Sequence, residues 1–222
     1  MSGLPRRLTL IILALALVAC TEPSPPTVGL DRAVRVGDLD QIKRHIHWGS
    51  DLDQPNAEGD PPLHVAARDG RVAIARELIR RGADVERQNA LGATPLAVAL
   101  ANGRTQVAML LVREGATLDA QAMLFDLTRA GVIDRDALDF LIGRGARLDQ
   151  PDGSGDTALH IAIRQGHLVT VRRLIIAGVD VNHPDGAGRL PLRIARESAP
   201  GPDARFIIST LERSGGRADP NH

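Results

Sequence analysis

Residues able to do chemistry are scattered along this chain of 222 residues. His64 and His160 lie in matching stretches, "PPLHVAARDG" and "TALHIAIRQG". Each imidazole could act as a general base, but neither stretch supplies a nucleophile and an orienting group beside it. His45 and His47 are two positions apart on a helix pattern, so they point to different faces and do not form a metal pair. Ser154 lies between glycines in "DGSGD". That is a turn composition, not the strand-to-helix elbow that exposes a hydrolase serine. Asp51 and Asp53 are not followed by the spacing of an EF-hand, and no glycine run has the form of a phosphate-binding loop. The single cysteine excludes an internal disulfide framework and any multi-cysteine metal site. These residues predict a protein that is not an enzyme, with no catalytic, cofactor-binding or metal-binding residues and no small-molecule substrate.

Composition narrows the partners. Lys+Arg and Asp+Glu number 27 each, which is not the basic footprint of a nucleic-acid binder. Three Phe, one Trp and no Tyr offer few platforms for stacking bases or sugars.

The N-terminus reads as an address. Arg6 and Arg7 precede an apolar run from Leu8 to Ala19, too short for a comfortable membrane span but suited to a secretory signal over 1–19. "LVAC", ending at Cys20, resembles the lipobox of bacterial lipoproteins. The resemblance implies a diacylglyceryl group on the Cys20 thiol, cleavage before it and acylation of the new amino group. Two or more chains, at about 0.8 kcal/mol per buried CH₂, make a stable membrane anchor. Thr21 in place of Asp implies the outer membrane, with the protein on the periplasmic side. "TEPSPPTVG" (21–29) carries three prolines and is expected to be an extended tether. At ~3.1 Å per residue it would hold a domain roughly 25–30 Å off the bilayer.

The body is a repeat. "PPLHVAARDGRVAIARELIRRGADVERQ" from Pro61 aligns without a gap on "TPLAVALANGRTQVAMLLVREGATLDAQ" from Thr94, 33 residues on, and on "TALHIAIRQGHLVTVRRLIIAGVDVNHP" from Thr157. A leucine series (Leu30, Leu63, Leu96, Leu124, Leu159, Leu192) and a glycine series (Gly49, Gly82, Gly115, Gly145, Gly178, Gly215) mark six copies, at about 28–55, 56–88, 89–121, 122–151, 152–184 and 185–220. Each copy reads as two short helices: prolines open the first, a glycine breaks between them, and the landmark glycine suits a left-handed C-terminal cap. Such a hairpin cannot bury its apolar face alone, so the copies must stack.

These pieces closely resemble the ankyrin repeat over about residues 28–220. The resemblance implies an all-α solenoid of about six helix-turn-helix units with β-turn fingers at 56–60, 89–93, 152–156 and 185–189. In this family the imidazole of the motif histidine holds the turn, which is the expected role of His64 and His160. The Thr–His pairing is complete only at Thr157 and His160, since Pro61 precedes His64 and Ala97 follows Thr94. The fourth copy lacks about five finger residues, so its finger is expected to be short or missing. The last copy inserts "SAPGPDA" between its helices. Trp48 is expected to shield the exposed end of the core.

The resemblance also implies binding of another protein at finger tips and the inner helix face. Carried over residue by residue, that gives Glu58, Asp60, Arg68 and Asp69 in the second copy and Leu91 and Asn102 in the third. The fifth gives Ser154, Asp156, Arg164 and Gln165, and the sixth Arg189 and Glu197. Alternating signs without an aromatic anchor predict a charge-complementary contact led by the arginines. Among bacterial members the partner classes are envelope enzymes, periplasmic catalase and effector toxins, the last making the protein an immunity factor. The alternative function is a structural spacer or scaffold of the envelope.

Overall fold

A computed structural model describes residues 22–198 and 201–218. The signal segment and Cys20 lie outside the described residues.

The described residues form six helical hairpins in sequence. Their first helices are α1 (Leu30–Val36), α3 (Pro62–Asp69), α5 (Pro95–Ala101), α7 (Ala120–Ala130), α9 (Ala158–Arg164) and α11 (Pro191–Ser198). Their second helices are α2 (Leu39–His47), α4 (Val72–Arg80), α6 (Thr105–Arg113), α8 (Arg135–Gly143), α10 (Leu168–Ile176) and α12 (Ala204–Arg213). Pro62 and Pro95 open their helices at the position where a missing N–H costs nothing. Gly70 (φ 72°) turns the chain from α3 towards α4, and Gly82 (φ 96°) lets it leave α4. Both are left-handed conformations that a Cβ would strain.

Stacking buries what a single hairpin leaves exposed. Leu63, Leu96, Leu124, Leu159 and Leu192 lie in one continuous core with Leu78, Leu111, Leu141, Leu174 and Leu211 of the second helices. Each fully buried leucine contributes roughly 1.5–3 kcal/mol. Ala66, Ala67, Ala99 and Ala162 are wholly buried, which lets neighbouring first helices approach closely.

One junction differs. α1, α3 and α5 pack along one row, as do α7, α9 and α11, but α5 and α7 are the loosest neighbours in that row. No finger turn separates α6 from α7: the chain runs from Gly115 straight to Asp119, whose carboxylate caps α7 through the Ala122 N–H (2.9 Å). The finger missing from the sequence is thus missing from the fold.

The Pro-rich segment departs from expectation. From Glu22 onward it is not a free spacer but lies along α2. The Trp48 indole N–H donates to the Pro23 carbonyl (3.1 Å), the Thr27 N–H to Gln41 Oε1 (2.9 Å), and His45 Nε2 bonds the Val28 carbonyl (2.7 Å). Trp48 is half exposed and clasps this segment; it does not seal the core. His45 is buried and His47 exposed, as their spacing required.

Candidate functional site: the finger face

Four fingers share one local design. The first residue of each (Asn56, Asn89, Asp152, Asp185) turns its side-chain oxygen back onto the N–H groups two and four residues on. The backbone closes each loop, as in Asn56 N–H to the Asp60 carbonyl (3.0 Å). Asn and Asp favour this turn because their short polar side chains can replace a backbone acceptor. The second and third fingers are also joined directly, by the Ala90 N–H donating to the Gly59 carbonyl (3.0 Å).

Side chains of α3 and α9 fasten each finger to the next. In the second copy, Arg68 pairs with Asp60, and the Asn89 amide of the next finger donates to the same carboxylate (2.7 Å). His64 Nε2 bonds the Ala93 carbonyl (2.9 Å). In the fifth copy, Arg164 bridges two carboxylates, Asp156 (3.0 Å) and Asp185 of the next finger (2.8 Å). Arg189 closes on Asp185 as well (2.8 Å). His160 Nδ1 accepts from the Thr157 N–H (3.1 Å) and lies 2.9 Å from its hydroxyl.

The electrostatics follow from these contacts. Burial disfavours the ionised forms of Asp60 and Asp185. Arg68 and Asn89 outweigh that for Asp60, and the Arg189 backbone and side chain do so for Asp185, so both pKa values lie below the ordinary value. Burial holds the His64 and His160 imidazoles below their usual pKa, and neighbouring carboxylates oppose it only in part.

The expected contact residues divide into two groups. Asp60 is 4% exposed and does not present a carboxylate to a partner. Asp156, Arg68, Arg164 and Arg189 are half-buried braces, each ion-paired within the chain. The arginines expected to lead a contact therefore hold fingers in place. Glu58, Leu91 and Ser154 are exposed on the fingers, Asp69, Asn102 and Gln165 are exposed where the first helices end, and Glu197 is exposed on α11; Glu58 and Glu197 also pair with Arg35 and Arg193. Leu91, at a finger tip, is 90% exposed. Sequence reasoning missed Arg129, which reaches from α7 to Asp152 of the fifth finger (2.9 Å); its register with Arg68 and Arg164 was the available signal. Among the described residues, no cluster of three His, Cys, Asp or Glu could hold a metal ion. Among them too, no helix is long and apolar enough to cross a membrane.

A face of preformed turns on a stack of helical hairpins is a binding scaffold. The family model "Ankyrin repeats (3 copies)" matches residues 30–122 and 128–212, so the chain belongs to the ankyrin-repeat family. Among curated proteins it is similar to neurogenic locus notch homolog protein 1 of Xenopus tropicalis, 39% identical over 74 residues. That match takes in 33% of this chain and 3% of the relative's length. The human ASB11 ankyrin repeat domain shares the fold at TM-score 0.60 and 24% identity, over 86% of this chain and 85% of that one. A chain from the complex of predatory endopeptidase Bd0816 of Bdellovibrio bacteriovorus with immunity protein Bd3460 matches at TM-score 0.58 and 25% identity, over 83% of this chain and 96% of that one.

Proposed function

We propose that this protein binds another protein through its finger face while anchored by a lipid on Cys20 in a bacterial cell envelope, facing the periplasm. The observation that carries the binding part is the row of exposed side chains on turns already fixed by internal hydrogen bonds and ion pairs. Ordering that a partner would otherwise impose is already complete, which lowers the entropic cost of association. The likeness to a chain from a complex that contains an immunity protein supports a protective role, in which the partner is an envelope enzyme or an incoming effector. The apolar run before "LVAC", with its paired arginines, supports the anchor.

Affinity capture from envelope extracts with the full chain tests the binding reading. Leu91→Lys and Ser154→Lys on the finger face should weaken capture at least tenfold, whereas Val169→Asp on α10 should not. Capture indifferent to the finger face would defeat the reading. Cys20→Ser should move the protein from the membrane to the soluble fraction and abolish acyl labelling; unchanged partitioning would remove the anchor.

A further inference from the structure

The missing fourth finger leaves a slot, and the rest of the molecule shows what such a slot holds. Elsewhere three register positions carry an acid, a histidine and an arginine that serve this junction: Asp60, braced by Arg68, and His64 reach the next finger in the second copy, and Arg164, braced by Asp156, reaches it in the fifth, where His160 holds its own turn. In the third copy all three are alanine: Ala93, Ala97 and Ala101. The third copy thus lacks the side chains that grip a finger at the junction that has no finger to grip.

What remains is an apolar notch of about 290 Å³. Ala93, Ala97 and Ala101 line it with Met123, Leu127 and Ala130 of α7. One further observation marks it as open on the finger side, and a second identifies a free acceptor there. A Cβ built on Gly59 would strike the Ala90 methyl of the next finger, whereas one built on Gly92, its counterpart, meets nothing within 4 Å. The Gly59 carbonyl accepts the Ala90 N–H, while among the described residues no donor reaches the Gly92 carbonyl. The charges beside the notch are already matched, Arg68 on Asp60 and Asp126 on Arg129 (3.1 Å), so an uncharged occupant fits. Leu91, 90% exposed, extends the apolar rim.

We infer that this notch receives a β-turn loop of the partner protein, uncharged at its tip and carrying an aliphatic side chain there. The loop stands where a fourth finger would. Its backbone N–H donates to the Gly92 carbonyl, as Ala90 does to Gly59, and its aliphatic tip covers Met123 and Leu127. A second copy of this chain is a poorer occupant. A stable interface buries roughly 1,200–2,000 Å² in total, and a notch of this size supplies a small part of that. The inference rests on the partner-binding reading above.

The probe is a cyclised peptide with the turn sequence Asn-Ala-Leu-Gly, compared with its Leu→Asp form. The full chain is labelled at its methionine methyls; Met123 lines the notch and Met109 lies on α6, away from it. The Leu peptide should shift the Met123 signal and leave Met109 unmoved, and the Leu→Asp peptide should shift neither. Ala101→Arg restores the residue found at this register in the second and fifth copies, so the fold should keep its melting temperature while peptide affinity drops at least tenfold. Absence of a Met123 shift, equal shifts at both methionines, or unaltered binding by the Arg variant overturns the inference. So does a dimer of the peptide-free chain that Leu91→Asp dissociates, because the occupant is then a second copy. If an envelope protein is captured equally by wild type and Ala101→Arg, the notch inference fails and the binding reading survives. If the peptide occupies the notch but no envelope protein is captured, the notch stands and the binding reading fails.

Discussion

The second and fifth copies carry the same three residue types at the same register, yet they lock to the copy ahead by different chemistry. Asp60 is held by one arginine and a neutral amide, Asn89. At the corresponding point in the fifth copy, Arg164 spans two carboxylates and Arg189 adds a second cation to Asp185. The histidines divide one task between them. His64 reaches forward to Ala93 and leaves Nδ1 without a partner, because Pro61 has no N–H to offer. His160 reaches back to Thr157 and leaves Nε2 without one. Each turn therefore completes one half of a two-sided network. Local sequence, not the shared fold, decides which half is made.

Removing the ionic lock should show the largest difference. Asp185→Ala leaves Arg164 and Arg189 without their shared carboxylate and uncaps two backbone N–H groups, at a cost of about 3 kcal/mol. Its counterpart Asn89→Ala should cost less, about 2 kcal/mol, since it loses two turn hydrogen bonds and one donated to the Asp60 carboxylate but no ion pair. Asp185→Asn keeps the turn and gives up the charge, so chemical denaturation should place it between the two.

Exchanging the residues before the histidines comes next. Thr157→Pro deletes both contacts to His160 Nδ1 and should cost about 1–2 kcal/mol. Pro61→Thr supplies the N–H and hydroxyl that His64 lacks. Part of that gain is offset by a looser unfolded chain, so the net stabilisation should stay under ~1 kcal/mol in the same measurement.

Acid should separate the two kinds of group. Folded His64 and His160 bind fewer protons than in the unfolded chain, so stability is full above about pH 6.5 and declines as pH falls through that value. Asp60 and Asp185 have lowered pKa values, so their contribution is present above about pH 4 and is lost below it. Thermal melts from pH 8 to pH 3 should fall in two steps. His160→Gln should shrink the first and leave the second. A single step near pH 4 would show that the imidazoles do not titrate with unfolding. The smallest effect belongs to Arg135→Ala on α8, whose pair with Asp139 lies in solvent; a loss under ~0.5 kcal/mol is expected in either context.

Much of this architecture was legible in the sequence because the copies repeat. Leu63, Leu96 and Leu159 recur in one frame and occupy one core, and the shortened stretch before Leu124 announced the missing finger. What the arginines do was not legible. Arg164 meets Asp185 across 21 residues and a copy boundary, so a side chain that reads as an exposed cation is a brace. The loose junction of α5 with α7 falls where the sequence lacks a finger, since packing between copies depends on finger geometry and not on the helix pattern alone. The Pro-rich stretch from Glu22 misled in the other direction: its composition denotes a spacer, while its carbonyls find donors on α2.

That clasp has an optical consequence. Trp48 is the single tryptophan in a chain without tyrosine, and its indole N–H is spent on Pro23. Emission excited at 295 nm therefore reports the lifting of the N-terminal strap from the first hairpin, separately from melting of the remaining hairpins, with no dye attached.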